Sequence, residues 1–176
     1  MEAPAGTRLI QGSVRFQRVS HLGFPTEELH GDGGLIAQLG RDGSLRIFFG
    51  RGRRIQLADG TEWRIKSITS GRHIVPTIQS AEGRIAISGP LYAKRSYGLN
   101  GKDWGYSLIP LGRVGLRNPG LWALRRHETE VAAIDFHERL VHAPEPLPLA
   151  AALLAFAVIT HGIPGEADLM PTRDSA

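Results

Sequence analysis

Apolar residues along this chain recur mostly at every second position, the period that sends alternate side chains to one face of a β-strand. Leu9 to Arg18 carries Ile10, Val14 and Phe16 among polar residues, and Leu35 to Leu39 and Leu45 to Phe49 are short apolar runs bounded by glycines. The alternation is plainest between Arg54 and Ile68. There Ile55-Gln56-Leu57 and Trp63-Arg64-Ile65-Lys66 flank Ala58-Asp59-Gly60-Thr61, whose Asp-Gly pair predicts a tight hairpin. A second hairpin is expected directly after it, with Ile74 to Gln79 and Arg84 to Ser88 on either side of Ala81-Glu82-Gly83. Further strands are predicted at Tyr106 to Pro110, Leu121 to Arg125, Glu130 to Phe136 and Arg139 to His142, with loops at Leu99-Asn100-Gly101 and Arg117-Asn118-Pro119-Gly120. Ser20 to Gly34, containing Phe24-Pro25 and Asp32-Gly33-Gly34, is the longest stretch without alternation and reads as a surface loop. Strands joined in succession by turns imply a meander of about ten to twelve strands at ordinary strand lengths.

One segment departs from this period. Leu149 to Thr160 is rich in Ala and Leu, is preceded by Pro146 and Pro148, and is followed by His161-Gly162 and Pro164, the punctuation of a helix. None of its faces is polar, so it must be enclosed on all sides or lie in lipid, and it is shorter than the roughly 20 apolar residues a bilayer span requires. An antiparallel sheet of ten or more strands encloses one short helix most simply by closing around it. The expected fold is therefore mainly β: a closed antiparallel barrel of about ten to twelve strands with the C-terminal hydrophobic helix in its bore.

Composition narrows the chemistry. The chain has 176 residues, of which 41% are hydrophobic and 22% charged, enough apolar surface for one folded core. It contains no cysteine, which excludes disulfides, a thiolate nucleophile and cysteine-ligated metal sites. The formal charge is +4, a mild basicity compatible with an anionic partner. Met1 to Gly6 has neither a basic n-region nor an apolar h-region, so no secretory signal is expected. A single domain over residues 7–165 with flexible termini at 1–6 and 166–176, in a cytoplasmic protein peripheral to the membrane, is the resulting picture.

Ser96-Tyr97-Gly98-Leu99-Asn100-Gly101-Lys102-Asp103 with Tyr106-Ser107-Leu108, and Arg125-Arg126-His127-Glu128-Thr129-Glu130-Val131-Ala132, followed by the Pro146 to Gly162 helix, give residues 44–165 an order and texture that resembles the tubby C-terminal-like superfamily. That group includes tubby-like proteins, LURP-one-related proteins and phospholipid scramblases, and the likeness is to its bacterial members. The resemblance implies a helix-filled barrel and no shared catalytic constellation. It also implies that surface cations could meet phosphoinositide-like headgroups, as in tubby-like members. No calcium loop of alternating carboxylates accompanies it.

Candidate sites divide by chemistry. His127, Glu128, Glu130, Asp135 and His137 form the densest carboxylate and imidazole region, but the pattern lacks the second histidine of a helical HExxH motif. Read as one strand, it puts Glu128 and Glu130 on one face and His127 and Thr129 on the other. No Gly-x-Ser-x-Gly elbow or phosphate-loop motif occurs. No catalytic residue, metal ligand or cofactor is assigned. Two cationic stretches remain: Arg46 to Arg54, which has no acid within it, and Leu91 to Arg126, which has seven cations against Asp103. From these, Arg51, Arg53, Arg54, Lys94, Arg95 and Lys102 are the candidate ligand-binding residues, because arginine makes bidentate contacts to phosphate.

The expected function is a non-enzymatic binding or scaffold module for anionic phospholipid headgroups or phosphorylated ligands, with an anionic membrane surface or a protein as partner. The alternatives are a hydrolase or metal-dependent enzyme, and a barrel that binds single-stranded nucleic acid through Tyr92, Tyr97, Trp104 and Tyr106 beside Lys94, Arg95 and Lys102. Nucleic acid ranks below lipid or protein.

Overall fold

In the computed structural model, which describes residues 8–21, 24–40, 53–70, 73–89, 96–112 and 120–161, the alternating segments pair with their neighbours in sequence. The strands are β1 (Leu9–His21), β2 (Phe24–Gly31), β3 (Gly34–Gly40), β4 (Arg53–Leu57), β5 (Glu62–Ser70), β6 (His73–Ser80), β7 (Gly83–Ser88), β8 (Tyr97–Gly101), β9 (Gly105–Pro110), β10 (Leu121–Arg126), β11 (Thr129–Asp135) and β12 (Leu140–Pro148). Every pairing is antiparallel, and β1 closes on β12, so the meander forms a twelve-strand barrel. Closure removes both sheet edges, which an open meander of this length would expose.

The expected hairpin around Asp59-Gly60 is β4–β5, with Ile55 opposite Trp63. Gly60 takes φ 87°, a conformation open to glycine at little cost, and Asp59 Oδ1 accepts the Thr61 amide at 2.9 Å. The next hairpin is β6–β7. Inward positions follow the two-residue period: Val14 and Phe16, Ala37 and Leu39, Ile55 and Leu57, Trp63 and Ile65, Tyr97 and Leu99, Tyr106 and Leu108 are all buried.

Four local expectations are corrected. Ser20 to Gly34 is not a loop, because Phe24–Gly31 is β2, in continuous register with β1 from Arg15↔His30 to His21↔Phe24. Leu99-Asn100-Gly101 is not a loop either, since it ends β8, which pairs with β7 and β9. His127-Glu128 is the turn between β10 and β11, with His127 at φ 55°, so the single strand read through Glu130, and the faces inferred from it, do not exist. Pro146 and Pro148 precede the helix as expected, but both are residues of β12, so the helix starts at Leu149 and not at Pro146. Beyond His142, β12 has no recorded partner in β11 and pairs with β1 alone, and a strand with one free edge tolerates residues without an N–H. The predicted strand at Leu45 to Phe49, the loop at 117–119 and the termini at 1–6 and 166–176 lie outside the described residues.

The helix α1 (Leu149–His161) follows β12 and fills the bore. Leu149, Leu153, Leu154, Val158 and Ile159 are at most 1% exposed, and burial of each such side chain contributes about 1.5–3 kcal/mol. Ala150, Ala151, Ala152 and Ala155 are buried as well and keep the helix thin enough for the barrel. The Leu149 amide donates to the Arg8 carbonyl at 2.7 Å, tying the helix start to the beginning of β1. At about 1.5 Å per residue the helix runs about 20 Å up the bore.

Its direction defines two ends. The β2–β3, β4–β5, β6–β7, β8–β9 and β10–β11 turns and the start of α1 share the lower end. The ends of β1 and β3, the starts of β2 and β4, the β11–β12 turn and the end of α1 share the upper end. The helix packs most closely on β6, β7, β8 and β12, and this off-centre seat leaves space on the β1–β5 side near the top.

Candidate functional site

The upper space is a cavity of about 310 Å³ between α1 and strands β1 to β5. Its apolar wall comprises Phe16, Leu39, Ile65, Phe136, Leu153, Phe156 and Ala157. The Phe16 and Phe156 rings meet at a tilt of 48° with centroids 4.1 Å apart, and Phe136 lies 6.2 Å from Phe156. Three of the four charged residues at its mouth are placed by strand parity. Arg18 continues the inward face of Val14 and Phe16, Glu27 shares a face with the fully buried Leu29, and Arg53 shares one with Ile55 and Leu57. The fourth, Arg139, comes from the β11–β12 turn at φ 55°.

These residues form one ion cluster. Glu27 Oε2 accepts from Arg53 Nη2 at 2.8 Å, Glu27 Oε1 accepts from Arg139 Nη1 at 2.9 Å, and Arg18 Nε lies 3.8 Å from Oε1. Arg18 and Glu27 are direct cross-strand partners. Burial by itself pushes the Glu27 carboxyl up, but the charges and hydrogen bonds of Arg53 and Arg139 outweigh it and hold the carboxyl below its ordinary range. Glu27 therefore stays ionised, and three guanidiniums around one carboxylate leave a surplus of positive charge over an apolar pocket.

The predicted ligand-binding residues do not form one patch. Arg53 belongs to this mouth. Arg54, its sequence neighbour, points to the opposite face of β4 and pairs with Glu62 at 2.8 Å, a carboxylate that Arg64 also contacts at 3.2 Å. Lys102 lies at the lower end of the barrel. Arg51, Lys94 and Arg95 lie outside the described residues. Sequence reasoning missed Arg18, Glu27 and Arg139. Parity would have revealed Arg18, which follows Val14 and Phe16 at spacing two, but Glu27 was hidden once β2 was read as a loop.

The imidazole and carboxylate region is also divided. His127 and Glu130 sit at the lower end, whereas Asp135 and His137 sit at the upper end, where Asp135 Oδ1 accepts the amides of His137 and Glu138 at 3.0 Å each. None of the four lines the upper cavity. Among the described residues no group of three or more His, Asp or Glu is placed to hold a metal ion.

Of the aromatic residues read beside cations, Tyr97 faces inward at 3% exposure, where burial pushes its phenol pKa up. Trp104 and Tyr106 gather with Lys102 around a lower cavity of about 530 Å³, and Tyr92 lies outside the described residues.

Fold and sites together define a helix-filled antiparallel barrel with a charged, aromatic-lined cavity at each end. No family model, curated protein or solved structure matches the chain, so nothing in these comparisons identifies the tubby C-terminal-like superfamily.

Proposed function

We propose that this protein is a non-enzymatic binding module for amphipathic anions, with anionic phospholipid headgroups as the leading ligand class. The observation that carries the reading is the cluster of Arg18, Arg53 and Arg139 around Glu27 at the mouth of an apolar cavity. A phosphate or carboxylate headgroup would meet the guanidiniums, and the first part of an apolar tail would meet Phe16, Phe136 and Phe156. The bland reading of such a cluster is a structural ion network. The cavity beneath it and the surplus of cations favour a ligand site.

Further cations occur in sequence between strands that end and begin at the upper end: Arg41, Arg46 and Arg51 between β3 and β4, Lys94 and Arg95 between β7 and β8, and Arg113 and Arg117 between β9 and β10. Binding is favoured over turnover because Glu27, the carboxylate that lines the cavity among the described residues, is held ionised by arginines, which makes it a weak proton acceptor. No helix among the described residues is long and apolar enough to cross a membrane, and the proposed encounter is peripheral, at a cytoplasmic membrane face. Kinship with the tubby C-terminal-like superfamily is part of the same proposal, supported by the order of a closed strand meander followed by a bore helix.

Vesicle co-sedimentation tests it. Recovery with phosphatidylglycerol vesicles should exceed recovery with phosphatidylcholine vesicles at low salt, and the excess should fall in Arg53→Gln and as salt screens the charges. Equal recovery with both vesicle types refutes it.

A further inference from the structure

We propose that the lower end of the barrel carries a second, independent binding site, for a small planar aromatic compound bearing an acidic group. The cavity there, about 530 Å³, falls within the roughly 300–1,000 Å³ range of small-molecule sites. The site is built by the polypeptide and owes nothing to the upper cluster. Trp104 closes the β8–β9 turn through the hydrogen bond from the Gly101 amide to its carbonyl at 2.9 Å, and its indole lies over Gly101 so closely that a Cβ there would collide with it. This half-buried ring sits 5.5 Å from Tyr106, the two planes tilted by 32°. Arg126 is fixed over the Tyr106 ring, its Cζ 5.2 Å from the centroid and its Nη2 donating to the phenol oxygen at 2.9 Å. The cavity thus pairs aromatic surface with a guanidinium already oriented by a neighbouring side chain.

Its charge balance points to the acidic group. Arg84, Lys102 and Arg126 line the cavity against Glu82 and Asp103, and none of the three cations is in an ion pair with a described residue. This differs from Arg53, Arg54 and Arg139, each of which is matched to a carboxylate. A flat ring placed against Trp104 would gain stacking, and its acidic group would gain charge-assisted hydrogen bonds from cations that no described carboxylate neutralises. Pro148, on the cavity wall, immediately precedes the first turn of α1, which contains no acidic residue, so the positive end of the helix adds to this field. Two rings converging on one cavity suit a single ring better than a run of bases, which needs successive platforms along a groove.

The test uses the full chain and follows tryptophan fluorescence during titration with 1-naphthoate, AMP, adenosine and inorganic phosphate, the first two separating an aromatic acid from a nucleotide as the source of the shared chemistry. Saturable quenching by 1-naphthoate or AMP is expected, with adenosine and phosphate each at least about tenfold weaker, the loss of one charge-assisted bond or of the stacked ring. The double variant Arg84→Gln/Lys102→Gln, exposed positions that leave the core intact, should weaken binding at least about tenfold. Trp104→Phe should abolish the quenching signal while retaining binding by calorimetry. Arg53→Gln should leave this binding unchanged, which separates it from the upper site. Absence of saturable binding by either acid, equal affinity for adenosine, an unaltered affinity in the double variant, or a single-stranded oligonucleotide binding far more tightly than AMP would each overturn the proposal.

Discussion

Glu27→Gln separates the two roles of the upper cluster, because it keeps the shape of the side chain and removes only its charge. In the native barrel Glu27 accepts from Arg53 at 2.8 Å and from Arg139 at 2.9 Å, with its side chain 19% exposed. A glutamine oxygen satisfies one arginine, and its amide group faces the other. At least one hydrogen bond to a charged group is lost, worth about 1.5–3 kcal/mol. The arginine side chains are 25% and 35% exposed, so water recovers part of that, and a net destabilisation of about 1–2 kcal/mol is expected.

The pH dependence follows from the lowered carboxyl pKa. A group whose folded pKa lies below its unfolded value contributes stability that is fully present above the unfolded value, about 4.5 for glutamate, and that is lost as pH falls through the folded value. Urea unfolding at neutral pH should therefore show the wild type more stable than Glu27→Gln, and the gap should close as pH falls below about 4.5. Vesicle binding should move the other way: removing one negative charge from the mouth should raise affinity for phosphatidylglycerol several-fold, on the order of 1 kcal/mol per charge near the surface. A stability gap constant with pH, or weaker anion binding by the variant, would refute the reasoning that Glu27 is an ionised occupant of a cationic site.

Two further outcomes test the fold. Leu154, fully buried in the bore, should cost about 2–5 kcal/mol when changed to Ala and should abolish folding when changed to Asp, which would bury an unpaired charge; a soluble Leu154→Asp protein with a cooperative melt would contradict an enclosed helix. Gly101→Ala should displace the Trp104 indole, seen as a red-shifted, more quenchable tryptophan emission, and unchanged emission would contradict the packing at the lower end.

Phe156 shows how enclosure varies along one helix. Its sequence neighbours give no reason to distinguish it from Leu154, and both read as bore residues. In the structure Leu154 has no exposure, whereas Phe156 borders the upper cavity beside Phe16 and Phe136. A carboxylate at 156 would lie on the wall of a cavity whose mouth carries Arg53 and Arg139, so Phe156→Asp is a milder perturbation than Leu154→Asp. The distinction arises from the off-centre seat of α1 against β6, β7, β8 and β12.

Strand parity, the Asp-Gly turn and a helix without a polar face were legible in the sequence because each is a local property: side-chain period, backbone preference at glycine, and the cost of exposing apolar surface. Together they were enough to call for a barrel closed around its last helix. Strands β2 and β8 were not legible. In β2 the inward position before Leu29 is filled by Glu27, which breaks the apolar alternation, and its burial is tolerable only because Arg53 arrives from β4 and Arg139 from the β11–β12 turn. In β8 the Asn and Gly that signal a turn are overridden by pairing to β7 and β9. Whether Arg53, Arg54 and Lys102 act together was likewise a tertiary matter: inversion of side-chain direction at adjacent strand positions parts the first two, and the length of the barrel parts both from the third. Charges that sequence counts in two basic stretches become a matched outer pair, a cavity mouth and the rim of a second cavity, because burial and distance determine what each charge meets.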